Sequence, residues 1–297
     1  MNSMDRKDQL PPKDHSNRRR KKTVFLRTPK GVLTIVLAVM AVTASCVTST
    51  YQGLFNISVA AAAAALLDYA VLRIQRRKQL VPTGALLTGI IIGLVASPSA
   101  SSMIVCLAAV IAIVLKHLLT LGKRPIFNPA ACGLLAVLWL FSTGEDWWGG
   151  LPDLSVWWLP LLLAGGYWTI FRVRKFLLVF TFLGLCFSAY LLIALLGAAD
   201  VSDMFRVPFI NSLLFFSFFM LTDPPTSPSK PWEQVLFATV AACVSIWINL
   251  KLGGLSFLLV GLLAANLWHA VITMVKRTSD PSHISRSTKS PDQQHAL

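Results

Sequence analysis

The chain has 297 residues, of which 55% are apolar and only 13% are charged, and its mean hydropathy is +0.64. A soluble globular chain of this length does not tolerate that balance on its surface, so the composition points to lipid-facing helices. The net charge of +14 does not mark a nucleic-acid binder, because the basic residues sit in the tails and in short loops between apolar runs, where the positive-inside rule expects them.

In chain order, residues 1–30 read as a disordered basic cytoplasmic tail: Arg18, Arg19, Arg20, Lys21 and Lys22 lie among prolines and polar residues, with no apolar run before Val32. Residues 31–276 read as the membrane domain, and residues 277–297, rich in Ser, Pro, His and Gln, as a second disordered cytoplasmic tail. Within the domain, apolar windows of spanning length begin near Val32, Leu54, Pro82, Met103, Pro129, Val156, Phe176, Pro208, Val235 and Leu255. Each is bounded by polar or turn-forming residues, which predicts an all-α integral membrane protein of about ten transmembrane helices. Arg73, Arg76, Arg77, Lys78, Lys123, Arg124, Arg172, Arg174, Lys175, Lys276 and Arg277 follow the even-numbered windows, whereas Glu145, Asp146, Asp153, Asp200 and Asp203 fall in the loops between them. Apart from Arg206 and Lys251, this distribution places both termini in the cytoplasm of a multi-pass cell-membrane protein. Trp147, Trp148, Trp157 and Trp158 are expected at the outer interface, where amphipathic aromatics settle.

The third and eighth windows depart from the others in the same way. Pro82 to Ala96 is short, carries Thr83, Gly84, Thr88, Gly89 and Gly93, and ends in Ser97, Pro98 and Ser99; Pro208 to Leu221 is also short and ends in Thr222, Asp223, Pro224 and Pro225. Third and eighth correspond if the domain is two halves of five, residues about 31–143 and 155–276, and an odd number of spans makes the second half enter from the opposite side. Short, proline-broken segments at matched positions of inverted halves point to a central site, since freed backbone groups at that depth must face protein, ligand or water.

Around those breaks the residue types narrow the chemistry. Asp223, beside two prolines, reads equally as a cation or substrate site and as a loop aspartate capping the ninth helix. Asn128 before Pro129 reads as a helix cap or as a hydrogen-bonding amide for a ligand. The hydroxyls of Thr83, Thr88, Ser97, Ser99, Thr222, Thr226 and Ser227 suit an alkali cation or polar small molecule, although each taken singly is an ordinary packing residue between membrane helices. Lys116 and His117 are expected to snorkel to the interface, with a phosphate or anionic lipid as the alternative partner. Asp68 is expected to pair with Arg73, and His269 to hydrogen-bond a neighbouring helix. The five cysteines stand alone inside apolar runs and read as small buried hydrophobes. The sequence has no Ser/His/Asp array, P-loop, GxGxxG or paired catalytic carboxylates, so any redox chemistry would belong to a cofactor and partner subunits.

Three stretches carry a family resemblance: Pro82-Thr-Gly-Ala-Leu-Leu-Thr-Gly, then Lys116-His-Leu-Leu-Thr-Leu-Gly-Lys-Arg-Pro-Ile-Phe127-Asn128-Pro-Ala-Ala, then Phe218-Phe-Met-Leu-Thr222-Asp223-Pro-Pro-Thr-Ser-Pro. They resemble the B subunit of the sodium-pumping NADH:quinone oxidoreductase and the D subunit of the Rnf electron-transport complex (NqrB/RnfD), in the family's order. The resemblance implies two inverted five-helix repeats with a urea-transporter-like architecture, and partner subunits in an electron-transport complex coupled to sodium ion or proton movement. It also implies bound flavin, FMN or riboflavin, with Thr83, Thr88, Lys116, Phe127, Asn128, Thr222 and Asp223 as the candidate cofactor-binding residues. Family members with covalent FMN carry a Ser/Thr-Gly-Ala-Thr/Ser stretch in an extended loop. The nearest approach here is Ser142-Thr143-Gly144-Glu145 in a short loop, so the expected flavin is noncovalent, and a small-solute or ion channel or transporter without a redox cofactor is the alternative on the same scaffold.

Overall fold

The computed structural model describes residues 28–48, 51–77, 81–122, 124–152 and 156–278. The expected tails at residues 1–27 and 279–297, together with Lys78, Lys123 and Asp153, lie outside the described residues.

Ten α-helices follow one another: α1 (Pro29–Thr48), α2 (Tyr51–Ile74), α3 (Thr83–Val95), α4 (Ser102–Leu118), α5 (Pro129–Phe141), α6 (Leu159–Val173), α7 (Phe176–Leu195), α8 (Val207–Phe215), α9 (Pro231–Leu252) and α10 (Phe257–Thr278). The protein is an all-α, multi-pass membrane protein. Five helices, α1, α2, α7, α9 and α10, are long and apolar enough to cross a bilayer unaided. The 13 residues of α3 rise only about 20 Å, well short of a hydrocarbon core of roughly 30 Å. α8 stops after 9 residues and continues as a π-helical stretch, Phe216–Met220, before the loop that contains Asp223. Between α4 and α5 a short antiparallel ribbon pairs β1 (Thr120–Leu121) with β2 (Arg124–Pro125).

Helix starts follow proline more closely than hydropathy. α9 begins at Pro231, four residues ahead of the apolar window at Val235, and α6 has Pro160 in its first turn while Val156–Trp158 forms a separate 3-10 turn. Proline's fixed φ and missing N–H suit the first helical turn, where that donor has no intrahelical partner.

The packing repeats itself in two halves. α2 packs on α4 and α4 on α5; likewise α7 packs on α9 and α9 on α10, while α1 meets α3 and α6 meets α8. The halves join through α1 against α6 and α5 against α10, each helix meeting its own counterpart, as a pseudo-two-fold arrangement requires. Glycine recurs at the same place in both: Gly133, fifth residue of α5, lies against the Ala108 carbonyl of α4, and Gly261, fifth residue of α10, against the Ala241 carbonyl of α9.

The short helix α3 is held by α2 through Gly89 and Gly93. A Cβ on Gly89 would come within 2.5 Å of the Ala60 carbonyl oxygen, and one on Gly93 within 2.6 Å of Ile57 Cα. Small residues spaced four apart let two membrane helices approach closely enough to gain dispersion energy in a medium that offers no hydrophobic driving force between them.

Two side-chain placements correct the sequence reading. Trp147 and Trp148 are fully buried at 0% and 4% exposure, whereas Trp157 is 84% exposed. Only the second pair is interfacial, because residues 147–151 fold back into the core as positive-φ turns at Trp147 and Leu151. Of the cysteines, Cys132 and Cys186 are buried as expected, but Cys46 and Cys243 are exposed, which on a membrane helix means lipid-facing.

Candidate functional site

On the face where α2, α4 and α6 end and α1, α3 and α5 begin, the broken elements enclose a cavity of about 410 Å³. Into it converge Thr83 and Thr88 of α3, Lys116 of α4, Asn128 at the start of α5, and Thr222 and Asp223 after the π-helical stretch. Phe127 is not in the lining. Leu33, Leu87, Ile91 and Phe219 supply apolar walls, and Lys30, in the first turn of α1, adds a second lysine. By sequence, Lys30 falls in the expected tail, residues 1–30. Pro29 marked the helix start that brings it in.

Both lysines come close to Gly84, their Nζ atoms 3.7 Å (Lys30) and 3.9 Å (Lys116) from where a Cβ would stand. Lys116 is not snorkelling to the interface. Its Nζ donates to Asp68 Oδ1 at 2.8 Å, and His117 Nε2 meets the same oxygen at 2.7 Å. Asp68 therefore bridges α2 to α4 in place of pairing with Arg73, because its carboxylate is buried at 2% exposure on the side of α2 that faces α4. A buried carboxylate needs charged or hydrogen-bonding partners there.

Asn128 resolves toward capping. Its Oδ1 accepts the Ala131 N–H at 3.1 Å and its Nδ2 donates to the Met220 carbonyl at 3.3 Å, so the amide is spent on the α5 N-terminus and on α8's end. Asn266 of α10, which the sequence reading passed over, closes the same junction: its Oδ1 accepts the Asn128 N–H at 2.8 Å and its Nδ2 donates to the Thr226 carbonyl at 3.2 Å. The hydroxyls of Thr88 and Thr222 bond back to the carbonyls of Gly84 and Phe218 within their own helical turns.

Asp223 does not cap α9, which starts at Pro231 without a side-chain cap. One carboxylate oxygen accepts the Thr226 hydroxyl at 3.1 Å, and the group faces the cavity. Burial pushes its carboxyl up to about 6, against the opposing pull of the Thr226 hydroxyl and of Lys30, Lys116 and Lys175. Lys175, in the α6–α7 turn, is buried and donates to the Ser227 carbonyl at 3.3 Å and to that of Pro228. Burial draws its ammonium down to about 8, with Asp223 resisting. Lys175 thus pins the loop that presents Asp223.

The opposite face is closed. Trp148 Nε1 donates to the Gly93 carbonyl at 2.8 Å, Ala96 bridges to Glu145, and Glu145 Oε1 accepts the Leu255 N–H at 3.1 Å near the start of α10. Ser142, Thr143 and Gly144 belong to this closing segment. His269 makes an edge contact with the Phe237 ring at 6.2 Å, so an aromatic neighbour stands where the sequence reading expected a hydrogen bond across helices. Among the described residues no cluster of three or more His, Cys, Asp or Glu is arranged to hold a metal ion.

Residues 26–153 match the model of the NQR2, RnfD, RnfE family. No curated protein matches the chain.

Proposed function

We propose, from the match of residues 26–153 to the NQR2, RnfD, RnfE family, that the chain is a membrane subunit of an Rnf/Nqr-type electron-transport complex, binding flavin noncovalently in the cavity between its broken helices. The observation that carries this reading is the cavity itself: about 410 Å³, with apolar walls and a few convergent polar groups, the size and composition of a small-molecule site. The donor set fits a flavin. Leu33, Leu87, Ile91 and Phe219 offer apolar surface to a flat ring, while Lys30 and Lys116 offer ammonium groups to a phosphate or to an anionic reduced ring. A bound flavin would supply one- and two-electron transfer. The chain's own contribution is to exclude water from the closed face, to place positive charge beside α3, and to hold Asp223 where it can exchange a proton or sodium ion with the basic face.

Both termini are assigned to the cytoplasm, since α2, α4 and α6 end in basic residues on the face that opens to the cavity. The competing reading is a solute or ion transporter without a redox cofactor. Two features favour it, the one-sided cavity between inverted halves and the use of residues 142–148 to seal the far face.

The test is the absorbance spectrum of the gently purified full-length protein, before and after acid precipitation. Flavin released into the supernatant supports the proposal. Flavin retained in the pellet overturns its noncovalent part, and a folded, colourless protein overturns the flavin reading in favour of the transporter.

A further inference from the structure

The loop that follows the second broken element, from Asp223 to Pro228, is rich in oxygen. The Thr226 hydroxyl donates to a carboxylate oxygen of Asp223 at 3.1 Å, the Ser227 hydroxyl donates to the Asp223 carbonyl at 2.7 Å, and the carbonyls of Ser227 and Pro228 converge on one point. Carbonyls, hydroxyls and a carboxylate are the ligands that a hard cation takes in place of its water. The point of convergence is filled by the Lys175 ammonium, which donates to both carbonyls and is buried at 4% exposure. Burial draws it down only to about 8, so it keeps its charge at neutral pH. Among the described residues no cation makes direct ion-pair contact with Asp223. Lys30, Lys116 and Lys175 act on it through space, and Lys116 is already committed to Asp68.

The inverted half shows what such a tether needs when holding the loop is its whole task. There the loop after the broken helix α3 runs through Ser97, Pro98, Ser99 and Ala100. Asn56 of α2, buried as Lys175 is, fastens it by donating Nδ2 to the carbonyls of Pro98 at 3.2 Å and Ala100 at 3.0 Å. Lys175 stands one residue ahead of α7, the counterpart of α2, and grips two carbonyls in the same manner. A neutral amide therefore suffices as a fastener. The loop of the first half contains no acidic residue, whereas that of the second contains Asp223. The tether is cationic only where a buried carboxylate lies in the loop it holds, and a buried carboxylate without compensating charge is costly.

We propose that the Lys175 ammonium is a tethered substitute for an alkali cation in the Asp223 loop, so that this loop takes no sodium ion and Asp223 exchanges protons alone. The oxygens that suit a cation are present, and the chain brings its own positive charge to them on a side chain that cannot diffuse away. An ammonium serves because it is a compact point charge with three donors for carbonyl oxygens. The role of Lys175 stands on this geometry, and only the restriction to protons depends on Asp223 being the exchanging group, as proposed above.

The experiment follows melting of the full-length protein in nonionic detergent at neutral pH while NaCl replaces N-methylglucamine chloride at constant ionic strength. Wild type melts at one temperature across the series. Lys175→Ala lowers that temperature by about 5 °C or more. NaCl or methylammonium chloride restores most of the loss along a saturating curve, as a ligand of the folded state does, whereas N-methylglucamine, too large for the vacated space, restores none. Adding Asp223→Asn to Lys175→Ala abolishes the sodium response. If Lys175→Ala elutes as an aggregate, Lys175→Gln, which keeps an amide for the carbonyls as Asn56 does, is compared with its double variant carrying Asp223→Asn, and the double variant melts higher. A colourless protein in the flavin test leaves all of these results unchanged, so the two readings fail separately. The proposal is overturned by a saturating sodium response in wild type that Asp223→Asn removes, by failure of both sodium and methylammonium to restore Lys175→Ala, or by equal restoration with every chloride salt. A double variant no more stable than Lys175→Gln alone overturns it as well.

Discussion

Asp68→Asn is the sharpest test of how the basic face is held together. In the wild type one oxygen, Oδ1, receives Lys116 Nζ at 2.8 Å and His117 Nε2 at 2.7 Å. The Asp68 side chain is 3% exposed, and its partners are 21% and 19% exposed. Asparagine keeps the shape and an acceptor but removes the carboxylate charge, so the Lys116 bond loses its ion-pair character and the His117 bond its anionic partner, a loss of about 1 kcal/mol apiece. Full breakage of a buried pair costs about 3–5 kcal/mol. The partial exposure of Lys116 and His117 lets water repay part of that, and the sum settles at about 2 kcal/mol. For a chain of this size that lowers the melting temperature by roughly 4–8 °C. Melting of the detergent-solubilised protein, followed by tryptophan fluorescence or by gel filtration of heated samples, reads the shift directly. A cycle with Lys116→Gln isolates the pair: once Asp68 is Asn, the second substitution should add much less than it does alone. Additive effects, or an Asp68→Asn protein melting within about 1 °C of wild type, would refute the claim that this carboxylate joins α2 to α4.

The remaining predictions concern other joints of the molecule. Gly89→Val places a Cβ within 2.5 Å of the Ala60 carbonyl oxygen, backbone that cannot step aside, and should cost about 1–3 kcal/mol or more by overpacking, seen as loss of the monodisperse gel-filtration peak. Raised to about 6 in the folded protein, the Asp223 carboxyl contributes stability that is fully present below its unfolded value and is lost as pH rises through about 6; a melting-temperature profile between pH 4 and 7 should show this fall in wild type and flatten in Asp223→Asn. Glu145→Ala removes the acceptor for the Leu255 N–H and should cost about 1 kcal/mol, the usual loss for a helix-start acceptor, while raising the reactivity of a Ser256→Cys probe toward a charged thiol reagent. Reporter fusions at either terminus should fluoresce as cytoplasmic green fluorescent protein and give no alkaline phosphatase activity; the reverse pattern would reject the assigned orientation.

The sequence made the helices and their pairing into halves legible because both rest on one-dimensional signals: apolar length, proline position and the side on which lysine and arginine fall. The family resemblance put Thr83, Thr88, Lys116, Phe127, Asn128, Thr222 and Asp223 on one candidate list, and six of the seven, all but Phe127, line one cavity. What one dimension does not carry is which partner a polar group meets across helices. Asp68 lies near Arg73 in sequence, yet α2 turns it toward α4, and its partners are 48 and 49 residues away. Asn266 had no local motif at all, although it joins α5 to the Asp223 loop over 138 and 40 residues. Trp147 and Trp148 followed an acidic loop and looked interfacial. Two left-handed turns at non-glycine residues, Trp147 and Leu151, were needed to bury them, and such turns carry no sequence signal outside glycine or asparagine.

Two inverted halves, left to symmetry, would make two vestibules, one on each face. Among the described residues the wide cavity between the halves lies on the basic face. On the basic face, the start of α5 is capped by its own Asn128 and the space in front of α3 stays open. On the other, the matching space near the start of α10 takes Glu145 from the interhalf connection, and the indole of Trp148 bonds α3 at Gly93. The asymmetry is therefore written into the connection between the halves and not into the repeats. Its consequence is directional: the cavity lined by Thr83, Lys116 and Asp223 lies on the basic face. Any exchange with the opposite side must first displace Glu145 and Trp148, whose hydrogen bonds to Leu255 and Gly93 are local enough to break without unpacking either half.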